Sequence, residues 1–149
     1  MQPEFLRRCH DSIRAVYDYW NAKRGDRTMP TRSDIDPLDL RPYLPALMIV
    51  DLVPDSRRYV YRLVGTKEVE ARGEDPTGHA VGDRFFGRTK EKVLFNYDFV
   101  VRNHGPRFDD SDFLTAGGRV SDSEELFLPL SSGGAEVTQI LVYTHYRNF

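Results

Sequence analysis

The feature that most restricts the fold is the run over residues 46–53, Ala-Leu-Met-Ile-Val-Asp-Leu-Val. It is far short of the roughly 20 apolar residues that span a bilayer, and its length and bulk fit a strand. A strand with one wet face alternates apolar and polar side chains. This one is apolar at both parities, so both faces of its sheet need a cover. The turn Pro54-Asp55-Ser56-Arg57 leads into a second strand, residues 59–64, and the two make a hairpin. Alternation puts Tyr59, Tyr61 and Leu63 on one face of that strand and Val60, Arg62 and Val64 on the other.

Two amphipathic segments can supply the covers. Over residues 4–23, Leu6, Cys9, Ile13, Val16 and Trp20 form one helical stripe, with Glu4, Arg7, Arg8, Asp11, Arg14 and Asp18 opposite. Such a stripe either packs on its own domain or forms a dimer seam. The expectation taken forward is a homodimer with these five residues in the interface. The second helix, residues 88–103, carries Val93, Tyr97, Val100 and His104 on one stripe and is closed by Gly105-Pro106. Between them, Asp36 caps a short helical start with Pro37 at its first position. Thr66 is placed to cap another over 67–71, and residues 72–84 read as an irregular connection. Three strands follow, at 108–114, 125–130 and 136–146, with Leu126, Leu128 and Leu130 facing inward in the middle one. The plan is antiparallel α+β, with a helix and basic connector over 1–33 and the main domain over 34–149.

Much chemistry is excluded. At net charge −2, the 149-residue chain has no basic stripe for nucleic acid and no apolar leader or membrane span. A small cytoplasmic protein is expected. One cysteine rules out a disulfide framework, and the four histidines make no metal-ligand spacing, so no metal is expected. Gly65-Thr66-Lys67 lacks the spacing of a phosphate loop, and no nucleophile elbow exists. Asp109-Asp110-Ser111-Asp112 lacks the glycine and distal glutamate of a calcium loop and reads as a solvated acidic turn. His104 suits the helix C-terminus, where a cation is favoured. His145 and Cys9 read as structural residues.

The stretch from Tyr19-Trp20 through Arg24-Gly25-Asp26-Arg27-Thr28-Met29-Pro30-Thr31-Arg32-Ser33-Asp34-Ile35-Asp36-Pro37 resembles the opening of a bacterial PAS-like domain family of uncharacterised function. Leu44-Pro45, Tyr61-Arg62-Leu63-Val64-Gly65-Thr66, Gly73-Glu74-Asp75-Pro76-Thr77-Gly78 and Leu128-Pro129-Leu130-Ser131 extend the match over most of the chain. The resemblance implies a five-stranded antiparallel sheet of order 2-1-5-4-3, flanked by helices. It implies a sensory or interaction module without catalytic residues. Flavin photoreceptors of this fold use a cysteine in an Asn-Cys-Arg-Phe-like stretch, and haem sensors place a histidine on the long helix. Only Cys9 and the helix-terminal His104 are present, so no cofactor is expected.

The resulting reading is a stand-alone sensory module that binds an unknown small ligand and signals through a separate protein. Its pocket would be lined by Tyr61, Leu63, Val93, Tyr97, Val100, His104, Leu128, Leu141 and Tyr143, mostly apolar with a few polar tips. The same side chains would make an ordinary core if they closed over the space, giving a pure protein-interaction module. A small enzyme using Asp51 with Tyr61 or His104 is the third alternative.

Overall fold

The strand that is apolar on both faces lies inside a sheet. In the computed structural model, which describes residues 2–114 and 120–147, β1 (Leu47–Leu52) pairs antiparallel with β2 (Tyr59–Val64) and, on its other side, with β6 (Gln139–Tyr146). β6 pairs with β5 (Val120–Leu130), whose far edge takes β3 (Arg107–Asp109) and β4 (Asp112–Leu114). The outer strand expected over 108–114 is thus two short pieces. Asp109 accepts from the Ser111 backbone N–H and hydroxyl, at 2.9 and 2.7 Å, and this Asx turn interrupts the pairing. Counted as one strand, the pieces complete a five-stranded antiparallel sheet of order 2-1-5-4-3.

Three α-helices join it: α1 (Asp11–Arg24), α2 (Thr66–Arg72) and α3 (Lys90–Asn103). α1 and the 3-10 segment Pro37–Ala46 cover one face, the N-terminal face; α2 and α3 cover the other. Asp36 caps the 3-10 segment as expected, accepting from Leu38 N–H at 3.0 Å. Residues directly opposite on neighbouring strands share a face. Leu47 with Tyr143, and Ile49 with Leu141 and Leu128, therefore lie under α1, while Met48 with Val142 and Phe127, and Glu125 with Thr144, lie under α2 and α3.

Two local features differ from expectation. The helix foreseen over 4–23 is a 3-10 turn, Glu4–Arg7, followed by α1. The Glu124 carboxylate accepts the His10 backbone N–H at 2.7 Å, and the His10 ring caps α1 through Ser12 N–H, so the chain turns there. At the start of α2 the capping residue is Gly65 rather than Thr66. A Cβ on Gly65 would stand 2.3 Å from the Pro45 carbonyl oxygen, so only glycine permits this approach of two backbones.

The stripe assigned to a dimer seam is packed on the chain's own sheet. Ile13 and Val16 have no exposed surface, and Leu6 and Trp20 are nearly as deep. Cys9 is partly buried against the same core. The Trp20 indole N–H donates to the Pro129 carbonyl at 2.9 Å. These side chains meet the need for a cover over the N-terminal face from within the chain itself.

Candidate functional site

On the opposite face, the sequence places ionisable groups where an ordinary core would have none. Glu68 and Arg72 are one turn apart on α2, and that spacing sets both on one side of the helix, toward the sheet. Glu68 is 2% exposed. Its Oε1 lies 3.3 Å from the Thr144 hydroxyl, and its Oε2 has no partner. Burial pushes the carboxyl up to about 8; Arg72 opposes the rise and the Glu125 carboxylate reinforces it. Thr144 also lies 3.4 Å from Glu125. The Thr144 hydroxyl donates to Glu68 Oε1 and is also within reach of Glu125, which leaves the unpartnered Oε2 as the oxygen that carries the proton of a protonated Glu68. The arrangement can hold a proton at Glu68.

Arg88 meets Glu125 directly. Arg88 is buried, donates to Glu125 and to the Ser111 carbonyl, bonds Ser123 Oγ at 3.1 Å and pairs with Asp109 at 3.1 Å. Burial would raise the Asp109 pKa, but the Ser111 N–H, Arg88 and Asn96 outweigh it and hold Asp109 below the usual carboxylate value. Asp109, expected in a solvated turn, is thus a buried member of this network. Arg72 is held differently. Its Nη1 donates to the Tyr61 hydroxyl at 3.1 Å and to the Arg84 carbonyl at 3.0 Å. Its Nη2 meets only the Met48 sulfur at 3.6 Å, and its Nε has no partner. Tyr61 and Phe86 lie over its guanidinium, with ring centres 4.8 and 5.2 Å away. Among the described residues, Glu68 Oε2 and Arg72 Nε are the two buried side-chain polar atoms left without a hydrogen bond. Two voids of about 10 Å³ each, hardly a water molecule's worth, adjoin Arg72, Phe86 and Glu125.

Of the expected pocket residues, the structure brings Tyr61, Val93 and Tyr97 to one of these voids, with Val100 buried on the same side of α3. The rest go elsewhere. A β-bulge leaves Arg62 unmatched, since Ile49 pairs with Leu63 and Val50 with Tyr61. The bulge turns Leu63 to the N-terminal face, where it is 45% exposed beside a shallow apolar groove with Ile35, Leu40 and Leu44. Leu128 and Leu141 share that face by register, and so does Tyr143, which packs edge-on against Tyr43. His104 caps α3 in the left-handed conformation and borders an open groove with Thr28, Met29 and Ser131. Asp51, paired with Arg62 and Gln139, meets neither Tyr61 nor His104. The sequence reading missed Glu68, Arg72, Arg88, Glu125 and Thr144. The available signal was Glu125 next to the Leu-x-Leu-x-Leu run, which alternation turns away from those leucines and onto the other covered face.

A family model described as the PAS domain matches residues 8–143. The chain belongs to the PAS domain family. Solved structures agree on the fold. The PAS domain of the fruit-fly ELK potassium channel superposes with a TM-score of 0.59 at 10% identity, covering 80% of this chain and 99% of that one. A light-oxygen-voltage domain studied with a flavin analogue gives 0.57 at 13% identity, covering 73% and 82%. A PAS domain from Colwellia psychrerythraea gives 0.55 at 14% identity, covering 74% and 97%. No curated protein matches the sequence.

A flavin or haem does not fit this PAS domain's own residues. Cys9 is the only cysteine and packs with the core of the N-terminal face, where α1 begins. His104 turns to an outer groove, and the voids beside Tyr97 are far below a cofactor's volume. Among the described residues, no three His, Cys, Asp or Glu gather as a metal site, and no helix is long and apolar enough to cross a membrane.

Proposed function

We propose that this PAS domain is a sensory signalling module that takes its input at the Glu68–Arg72 chamber and passes it to a separate protein, without catalysis of its own. The observation that carries the reading is the pair of buried, unpartnered polar atoms on one turn of α2. Each costs about 1–3 kcal/mol of unrecovered desolvation. A core serving only packing would gain by replacing both residues with apolar ones. Native mass spectrometry of the freshly purified protein, with a thermal-shift screen of small polar metabolites, tests this. A co-purified non-protein mass, or a saturable rise in Tm that Glu68 or Arg72 variants abolish, is expected. Bare protein mass with a flat screen refutes it.

The small size of the voids favours a second reading, a pure interaction module. It predicts the flat screen together with one reproducible protein partner, captured through the apolar groove beside Leu63 and lost in Leu63→Asp. The homodimer expected from the sequence is weakened by the burial of its assigned seam, and light scattering at high micromolar concentration decides it.

A further inference from the structure

The two arginines that reach into the α2–α3 face, Arg88 buried and Arg72 half-buried, have different company. Arg88 is met by Asp109 and Glu125. Arg72 has no carboxylate within ion-pair distance among the described residues. Its tip is spoken for by Tyr61 and the Arg84 carbonyl, which leaves the Nε–Nη2 edge facing only a thioether. That edge is the side-on fork which binds a carboxylate through two parallel N–H···O bonds. The Tyr61 ring, its centre 4.8 Å from the guanidinium carbon, and the two hydrogen bonds of Nη1 hold the group and fix where the fork points.

We propose that the Nε–Nη2 edge of Arg72, with Glu68 beside it, binds the carboxylate of a small organic acid. The two carboxylate oxygens accept from Nε–H and Nη2–H, and the protonated Glu68 donates from Oε2 to one of them. Both unpartnered atoms gain hydrogen bonds, and the guanidinium gains a counter-ion. A neutral amide offers one acceptor and leaves the charge uncompensated; a cation meets Arg72 and is repelled. The voids flank Phe86, so a short acid enters by displacing that half-buried ring. The charged groups facing Glu68 are Arg72 and Lys67 from its own helix and Glu125 from β5, the last neutralised by Arg88. Tyr61 from β2 and Tyr97 from α3 are neutral at working pH, burial having raised both. Glu68 therefore acts as donor while it keeps its proton, and once ionised it repels the ligand.

This inference rests on the sensory reading and names its ligand class. The test titrates the wild-type protein with acetate, propionate, propionamide and chloride at constant ionic strength, reading Tm and the Arg72 Nε–H resonance. Acetate and propionate should move both signals saturably, and propionamide and chloride neither. Affinity should weaken roughly tenfold between about pH 6 and about pH 9 as Glu68 loses its proton. Glu68→Gln should bind without that pH dependence. Arg72→Lys, which keeps the charge and loses the fork, should lose binding, and the surface variant Asp83→Asn should retain it. Equal binding of propionamide, or binding by Arg72→Lys, overturns the carboxylate assignment and leaves the sensory reading standing. An Arg72 resonance that no acid moves overturns it as well, and a flat metabolite screen beside it removes the sensory reading too.

Discussion

Replacing Glu68 with glutamine gives a stability change whose sign and size follow from burial. The folded carboxyl holds its proton up to about pH 8, against 4.5 for an ordinary glutamate. Below 4.5 both folded and unfolded chains carry the proton, and Glu68 costs nothing on this account. Between the two values the folded chain alone carries it, so each pH unit removes about 1.36 kcal/mol of stability. The loss is about 3 kcal/mol at pH 7 and levels off near 5 kcal/mol above pH 8, as an order of magnitude. Solvent screening does not discount it, because Glu68 is 2% exposed. Glutamine keeps the neutral shape and removes the titration. Urea melts of both proteins from about pH 5 to about pH 8.5 should coincide at the acid end, with the variant gaining several kcal/mol at the alkaline end. His145, whose pKa burial lowers, acts on both proteins alike and cancels in the difference. Parallel pH profiles would refute the buried, protonated Glu68.

The remaining expectations concern packing. Gly65→Ala should cost at least about 1–3 kcal/mol in urea melts despite an ordinary backbone angle, because the added methyl meets the carbonyls of Leu44 and Pro45; a neutral result would mean that this approach of two backbones is loose. Trp20→Glu should unfold the protomer, seen as loss of circular dichroism, whereas a folded monomer would restore the stripe to a dimer seam. Leu63→Asp should shift stability by less than about 0.5 kcal/mol, while Leu141→Ala, two residues that alternation alone would treat alike, should cost about 2–5 kcal/mol. Comparable losses at both would place Leu63 in the core and remove the bulge at Arg62.

The elements themselves were legible in the residues. The run apolar at both parities located β1, alternation located β2, β-branched and aromatic content located β6, the Asp36-Pro37 cap located the 3-10 segment, and the resemblance supplied the strand order. Faces were not legible, because a sheet covered on both sides has two insides. The parity of Leu126, Leu128 and Leu130 says that they share a face, not that this face meets α1 rather than α3. The bulge at Arg62 then shifts the phase within β2, and no local residue announces it. The split of the first helix depends on Glu124, more than a hundred residues away. The chamber was hidden for a related reason. Glu68 and Arg72 have the one-turn spacing of a solvated ion pair, and only the sheet beneath α2 turns that spacing into a buried carboxyl and a half-buried guanidinium held apart.

The position of Trp20 makes the molecule its own optical instrument. It is the only tryptophan, and its indole lies under α1, against the Pro129 carbonyl, on the far side of the sheet from Glu68 and Arg72. A ligand seated beside Arg72 does not touch the indole, so direct quenching by contact is ruled out by placement. Any change in emission on adding an acid therefore reports motion carried across the strands. Constant emission alongside a shifted Arg72 resonance would locate the response wholly on the α2–α3 side. Intrinsic fluorescence thus separates the arrival of a signal from its passage through the sheet, with no label attached.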